Sequence, residues 1–114
     1  MTNDQVLNNR NINQNFEVTV NFLSTLPEII ESKAEITVNI NLGTTISNLL
    51  DLLVEKIGIS FIKIKEAIES NDDIIFGDPI VILMNGRNIS AYDGLETIIK
   101  QNDDITMFIP IGGG

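Results

Sequence analysis

The sequence predicts an α+β fold in which a mixed sheet of about four to five strands wraps around one main helix. Three patterns predict it: two N-terminal stretches alternate apolar and polar residues, a central stretch has helical periodicity, and a C-terminal stretch alternates again. Because a long crossover separates the first strand from the last, these two strands are expected to be neighbours and parallel. A chain of 114 residues is large enough for one domain with a modest core.

The first two strands are predicted by apolar residues at every second position. They run from Phe16 to Phe22 and from Ile36 to Leu42, so each strand buries one face, and we expect the two to be antiparallel. Pro27, between them, suits the first position of a short helical turn. Residues 1–14 are polar and without period, which predicts a disordered arm before a domain over 15–111.

The main helix has the strongest pattern in the chain. Its apolar face consists of Ile46, Leu49, Leu50, Leu53, Val54 and Ile57. Thr44 or Thr45 is the predicted N-cap, and Gly58 lies just past the C-terminal end. A turn and a short second helix are predicted over residues 59–69. The continuous apolar run at residues 80–84 fits a strand buried on both faces or covered by a partner.

A last strand is predicted over residues 105–111. Its apolar alternation places Ile105, Met107, Ile109 and Ile111 on the core. Phe108 is then expected on the outer face, where an apolar patch would favour docking of a partner. Pro110 removes a backbone donor, so ladder pairing should end near it. Residues 112–114 are all glycine and predict a flexible tail that ends in a carboxylate.

Composition excludes several classes of function. The chain contains no cysteine and no histidine, which removes disulfides, thiolate chemistry and the commonest general base and metal ligand. A net charge of −9 argues against nucleic-acid binding, because phosphate recognition needs a basic surface. No apolar run has membrane-spanning length and no signal peptide is recognisable, so we expect a cytoplasmic protein without a membrane partner.

Two acidic clusters are the candidates for a metal site. They are Asp72, Asp73 and Asp78 in one stretch and Asp103 and Asp104 in another. Neither has the spacing of a calcium loop, and Asp is favoured in turns for local reasons. The sequence therefore predicts no metal site.

Four motifs keep their order and spacing over the last third of the chain. They are Asn85-Gly86-Arg87-Asn88-Ile89, Asp93-Gly94-Leu95-Glu96-Thr97, Asn102-Asp103-Asp104-Ile105 and Phe108-Ile109-Pro110-Ile111-Gly112-Gly113-Gly114. Together they resemble the β-grasp sulfur carriers: the small subunit of molybdopterin synthase, the thiamine-pathway carrier, the ubiquitin-related modifier and the small archaeal modifier proteins. The chain departs from that family at three points: Asn102 replaces a usual Gly, Ile109-Pro110 replaces a commoner Pro-Pro, and Gly112 precedes the usual glycine pair.

The resemblance implies a ubiquitin-like carrier, not an enzyme. Its Gly114 carboxylate would be adenylated on a partner activating enzyme that holds ATP and magnesium, while this chain binds no cofactor itself. The activated carboxylate would then be thiocarboxylated for sulfur transfer, in molybdopterin or thiolation pathways, or joined to lysines of target proteins. The resemblance therefore implies two further partners, a molybdopterin-synthase large subunit and target-protein lysines. The sequence does not show whether sulfur transfer or conjugation to lysines is the function.

The site residues implied fall in two groups. The tail consists of Gly112, Gly113 and Gly114, and the partner-binding residues are Phe108, Pro110 and Ile111. The alternative interpretation is a passive β-grasp adaptor that binds partners through its sheet face. Such an adaptor would work without the glycines, whereas a carrier would not.

Overall fold

A computed structural model describes residues 14–70 and 80–110, which fold as a five-stranded sheet with helices packed on one face. Its strands are β1 (Asn15–Phe22), β2 (Glu35–Asn41), β3 (Val81–Met84), β4 (Arg87–Asn88) and β5 (Ile105–Phe108). The α-helices are α1 (Leu26–Ile29), α2 (Ile46–Ile57) and α3 (Ile62–Ser70). Short 3₁₀ turns lie at Ile59–Phe61, Ile89–Ala91 and Gly94–Glu96. None of these helices is long and apolar enough to cross a membrane.

The strand order across the sheet is β2-β1-β5-β3-β4. β1 pairs antiparallel with β2 from Asn15 opposite Asn41 to Asn21 opposite Glu35. β1 pairs parallel with β5, and β5 pairs antiparallel with β3. The β-grasp topology predicted from the sequence is thus confirmed, including the parallel contact between the first strand and the last.

The core lies between the inner face of the sheet and the helices. β1 contributes Val18, Val20 and Phe22, which alternate with more exposed residues. The Phe22 ring packs against that of Phe61, with 6.3 Å between the ring centroids and a tilt of 60°. This burial of alternate strand residues is the main stabilising contribution to the sheet.

The main helix begins and ends as its sequence predicts. Thr45 is the N-cap: its Oγ1 accepts the Asn48 amide, while the Asn48 side chain accepts the Thr45 amide, both at 3.1 Å. Gly58 follows the last turn with φ of 109°, a conformation that favours glycine. Of the two threonines considered, Thr45 is therefore the cap.

The turn and short second helix predicted after this helix are confirmed, because a 3₁₀ turn at Ile59–Phe61 leads into α3. α3 packs beside α2, burying Ile64 and carrying Lys65 into contact with two carboxylates. Its Nζ lies 3.0 Å from Glu69 one turn further on and 3.3 Å from Asp51 of α2. The hydrogen bond to Glu69, followed by that to Asp51, raises the pKa of Lys65 above its ordinary value.

Two local expectations were wrong. Leu42 is 63% exposed because β2 ends at Asn41 and Gly43 turns the chain with φ of 94°. Of the two possibilities for residues 80–84, burial on both faces is wrong, because Val81–Met84 alternates half-buried and buried residues, while cover by a partner stays a prediction. β4 ends at Asn88, and Ile89 starts a 3₁₀ turn with its side chain in the core.

Candidate functional site

The last strand presents two different faces. Ile105 and Met107 are fully buried and Ile109 nearly so, which places them on the core. Thr106, Phe108 and Pro110 are half-buried; Thr106 and Phe108 point to the opposite, outer face of the sheet. The alternation therefore places Phe108 as the sequence predicts, while its role in partner binding stays a prediction.

Phe108 belongs to an apolar patch on this outer face. Val81 lies directly opposite Phe108 in the β3–β5 ladder, and Leu83 lies opposite Thr106. Both are half-buried. Leu23, just past β1, donates its amide to Met107 at 3.0 Å, which holds it beside the end of β5, and half of its surface is exposed. We call Leu23, Val81, Leu83 and Phe108 the outer patch.

The rest of the outer face is polar. The outward residues of β1 and β2 are Asn15, Glu17, Thr19, Asn21, Glu35, Thr37, Asn39 and Asn41. None of them is apolar, although the same two strands bury an apolar inner face. The outer patch is therefore confined to the side of the sheet that carries the C-terminal strand, where the chain leaves for its glycines.

Two of the sequence motifs meet through side-chain hydrogen bonds at the opposite end of β5. Asn85, after β3, donates its side-chain amide to Asp103 and accepts the Asp104 amide through its oxygen, both at 2.9 Å. The backbone amide of Asn85 donates to Asp104 at 2.8 Å. Asp103 also accepts the Lys100 amide at 2.7 Å. These bonds fix the two turns that bound the β3–β5 pair.

The sequence did not predict the role of Asn85, because no local pattern links it to Asp103 and Asp104, which lie 18 and 19 positions away. Asp103 and Asp104 are thereby turn residues that accept hydrogen bonds within the fold. Asp72, Asp73 and Asp78 lie outside the described residues. Within the described ranges, no cluster of three or more acidic residues is arranged to hold a metal ion.

Asn102, which replaces the usual glycine of the family, still forms the turn expected before β5. Its φ is 74°, in the left-handed region that asparagine tolerates better than most residues. Asn85 at 55° and Gly86 at 82° adopt the same region in the preceding motif. The Asp93–Thr97 motif closes through the Asp93 amide, which donates to the Thr97 hydroxyl at 2.9 Å.

The structure brings part of the predicted site together. Phe108 is the last residue of β5 and belongs to the outer patch, and Pro110 lies two positions further along the chain. Ile111 and the tail residues Gly112, Gly113 and Gly114 lie outside the described residues. Their roles stay predictions that rest on the motif and on the strand that leads to it.

Comparison with known proteins agrees with this geometry. The sequence profile of the ThiS family matches residues 9–114. The solution structure of the small archaeal modifier protein 1 from Methanosarcina acetivorans is 31% identical, covers 88% of this chain and 98% of its own, and has a TM-score of 0.60. No curated protein matches.

Two more distant structures share the fold. Urm1 from Trypanosoma brucei is 15% identical over 88% of this chain and 97% of its own, with a TM-score of 0.58. A chain of the Amycolatopsis orientalis BexX/CysO complex is 18% identical over 85% and 99%, with a TM-score of 0.54. At these identities the likeness concerns architecture alone.

Proposed function

Because this chain belongs to the ThiS family of ubiquitin-like β-grasp proteins, we propose that it is a carrier whose working group is the carboxylate of Gly114. The observation that carries the proposal is the match of the family profile through residue 114, together with the outer patch beside the strand that leads there. The chain is a protein substrate of a partner enzyme and performs no catalysis of its own.

The proposed chemistry begins with activation of a poor electrophile. A carboxylate oxygen of Gly114 attacks the α-phosphorus of ATP on the partner enzyme, pyrophosphate leaves, and an acyl adenylate results. Magnesium on the partner balances the phosphate charge. A sulfur nucleophile or a lysine amine then displaces AMP, which gives a thiocarboxylate or an amide. The chain has no histidine or cysteine, so the partner supplies the acid–base groups.

Glycine suits the tail for steric reasons. Residues 112–114 span at most about 10 Å when extended, which sets how far the carboxylate reaches beyond residue 111. Without Cβ atoms, glycine passes through a narrow channel and adopts backbone angles that other residues avoid. A folded domain ending in three glycines thus delivers a carboxylate into an active site too narrow for ordinary side chains.

The outer patch is the proposed docking surface for the activating enzyme. Phe108 lies at the end of the ladder opposite Val81, and Pro110 follows before the glycines. Aromatic side chains in such patches commonly contribute most of the binding energy. In one relative of the same fold, CysO is found in a complex with BexX, and an enzyme partner is proposed here by analogy.

The experiment that tests the carrier function removes the tail. Deleting Gly113 and Gly114 should abolish ATP–pyrophosphate exchange by the cognate activating enzyme, because no carboxylate reaches the nucleotide. The thermal unfolding midpoint should stay nearly unchanged, since Met107 and Ile109 of the core precede the deletion. Gly114→Ala should impair exchange, because a methyl group crowds the channel and the reacting carbon.

A matched control keeps all glycines and moves only the carboxylate. Adding one alanine after Gly114 preserves the tail but displaces the terminal group, so exchange should again be lost. If the truncated protein were still activated, or still supported its pathway, the passive adaptor would replace the carrier as the better interpretation.

The two proposed fates differ in product mass. After incubation with the activating enzyme, ATP and a sulfur source, a thiocarboxylate shows the mass change of one oxygen replaced by sulfur. Conjugation instead yields a branched peptide, in which the C-terminal residues of this chain are attached to a lysine of another protein. Intact-mass measurement followed by peptide mapping distinguishes them.

A further inference from the structure

The turn between β3 and β4 has a sequence that is chemically labile. Asn85 and Gly86 form this two-residue turn, and both have positive φ, 55° and 82°. Asparagine followed by glycine is a preferred sequence for such a turn, because both residues tolerate this backbone region. In the same dipeptide the asparagine side chain readily loses ammonia, since glycine has no side chain to hinder attack by its backbone nitrogen.

This dipeptide occurs once in the chain. Of the 14 asparagines, Asn85 alone is followed by glycine, whereas every other one precedes a residue with a side chain. Asn85 and Gly86 are both exposed, so water reaches the turn. A methyl group built on Gly86 would meet no atom within 4 Å, which shows that the space around this residue is open. The sequence and the exposure together single out Asn85 as the reactive asparagine.

The reaction needs only water as a co-reactant. The Gly86 nitrogen bonds to Asn85 Cγ, the bond from Cγ to Nδ2 breaks, and ammonia leaves with the proton that the Gly86 nitrogen gives up. The product is a five-membered succinimide ring. Water then opens the ring at one of its two carbonyls, which gives either aspartate at position 85 or isoaspartate, in which the backbone runs through the side-chain carbon.

Hydrogen bonds to the turn before β5 hold the Asn85 side chain away from this reaction. Its Nδ2 donates to Asp103 Oδ1 and its Oδ1 accepts the Asp104 amide, both at 2.9 Å. Both ends of the carboxamide are therefore occupied by residues 18 and 19 positions away. Rotation of the carboxamide toward the Gly86 nitrogen breaks these two bonds, so the reaction proceeds from a locally opened turn.

The product of the reaction cannot restore both bonds. A carboxylate accepts hydrogen bonds but donates none, so the oxygen that replaces Nδ2 faces Asp103 Oδ1 and is repelled by it. Asp103 is itself held in place, because its other oxygen accepts the Lys100 amide at 2.7 Å. Isoaspartate adds one atom to the backbone of the turn, which disturbs the register of β3 with β4.

We propose that Asn85 is a deamidation site, held back in the folded protein by its bonds to Asp103 and Asp104, and that its product releases the turn at the end of the β3–β5 pair. Three residues of the outer patch lie on this pair. Protein that has once opened and reacted at this turn therefore loses stability in the half of the sheet that presents the patch. The modification does not involve Gly114, so it goes beyond the carrier function.

The first test compares the full chain with a synthetic peptide of residues 82–89. Both are kept in the same mildly alkaline buffer, and peptide mapping by mass spectrometry follows the replacement of the Asn85 amide group by an acid. Asn85 should react about 30-fold more slowly in the full chain than in the peptide, because two hydrogen bonds must open first. Asp103→Ala should raise the rate in the full chain about fivefold, since one of these bonds is lost.

Matched variants test the effect of the product on the fold. Asn85→Asp, which has the product side chain, should lower the thermal unfolding midpoint by about 4–8 °C. Adding Asp103→Asn exchanges donor and acceptor, so that position 103 donates to position 85 and still accepts the Lys100 amide, and the midpoint should return nearly to its original value. Asn88→Asp is the control: its side chain only accepts the Ser90 amide, so the same change of charge should leave the midpoint nearly unchanged.

Four outcomes would overturn the proposal. These are equal rates in the full chain and the peptide, a rate unaffected by Asp103→Ala, an Asn85→Asp midpoint equal to that of Asn88→Asp, and no recovery when Asp103→Asn is added. If Asp103→Ala does not fold, Asp103→Asn replaces it in the rate measurement, because it keeps an oxygen for the Lys100 amide. All measurements use the free chain without an activating enzyme, so this proposal and the carrier function fail separately.

Discussion

The two halves of the sheet bury similar inner faces but differ in length and in their outer surfaces. β1 and β2 pair over seven positions with polar residues outside, whereas β5 and β3 pair over four with Val81, Leu83 and Phe108 outside. The first half shows that the fold tolerates a fully polar exterior. The apolar exterior of the second half is therefore not a requirement of folding, which is why we interpret it as a binding surface.

The halves are also held together differently. In the described residues no side-chain hydrogen bond joins β1 to β2, which are held by backbone pairs and by their buried inner residues. The short half is reinforced at its ends: Asn85 joins Asp103 and Asp104, and the Tyr92 hydroxyl donates to the Met84 carbonyl at 3.0 Å. Short strands with an exposed apolar face depend on such bonds to keep their register.

The largest expected effect is the difference in stability lost by a substitution on the inner face of the sheet and by one on the outer face. Phe22→Ala should cost about 3–5 kcal/mol of unfolding free energy, because that ring is buried against Phe61. Phe108→Ala should cost clearly less, since Phe108 is only half-buried. Urea denaturation of both variants measures the difference. Equal losses of unfolding free energy would mean that Phe108 is packed like a core residue, and the outer patch would then not be a separate binding surface.

Binding gives the next largest effect. Phe108→Ala should weaken association with the activating enzyme by about 2 kcal/mol, or roughly 30-fold, as expected for an aromatic side chain that anchors an interface. Thr19→Ala, on the polar half, is the control and should leave affinity unchanged. Isothermal titration of the activating enzyme with both variants measures the two losses of affinity. Equal losses would show that the polar half of the outer face contributes as much to binding as the outer patch.

The smallest effect concerns the turns of the short half. Asn85→Ala removes two side-chain hydrogen bonds and a residue suited to φ of 55°, so it should destabilise the fold by about 1–2 kcal/mol. Asn39→Ala, on an outward position of β2, makes no such bonds and should change stability by less than about 0.5 kcal/mol. Thermal unfolding of the two variants measures the shift of each midpoint. Equal shifts would show that the Asn85 side chain does not stabilise the turns.

Elements with a clear period were predictable from the sequence. The main helix, the first two strands and the burial of Ile105 and Met107 follow from local spacing alone. Leu42 was misplaced because the alternation continues past the point where Gly43 turns the chain. The period of residues 80–84 is uninformative, since a continuous apolar run does not show which face is covered. The long crossover predicted the parallel pairing of the first and last strands, and the resemblance supplied the role expected of the tail.

Local sequence patterns could not predict contacts between residues that are far apart in the chain. Asn85 and Asp104 are both ordinary turn residues in sequence, and only the sheet brings them within hydrogen-bonding distance. A cleft between β2 and α2 is likewise a product of packing. The predicted tail lies outside the described residues, so Gly112, Gly113 and Gly114 rest on the motif.

The parallel contact between β1 and β5 also sets an order of events during synthesis. Val20 and Ile105 are neighbours in the sheet but 85 positions apart in the chain. At about 5–20 residues per second, a ribosome adds Ile105 roughly 4 to 17 s after Val20. Until then the middle of the sheet is missing, and the outer patch lacks Phe108. An enzyme that recognised the outer patch would therefore not engage a nascent chain that still lacks β5.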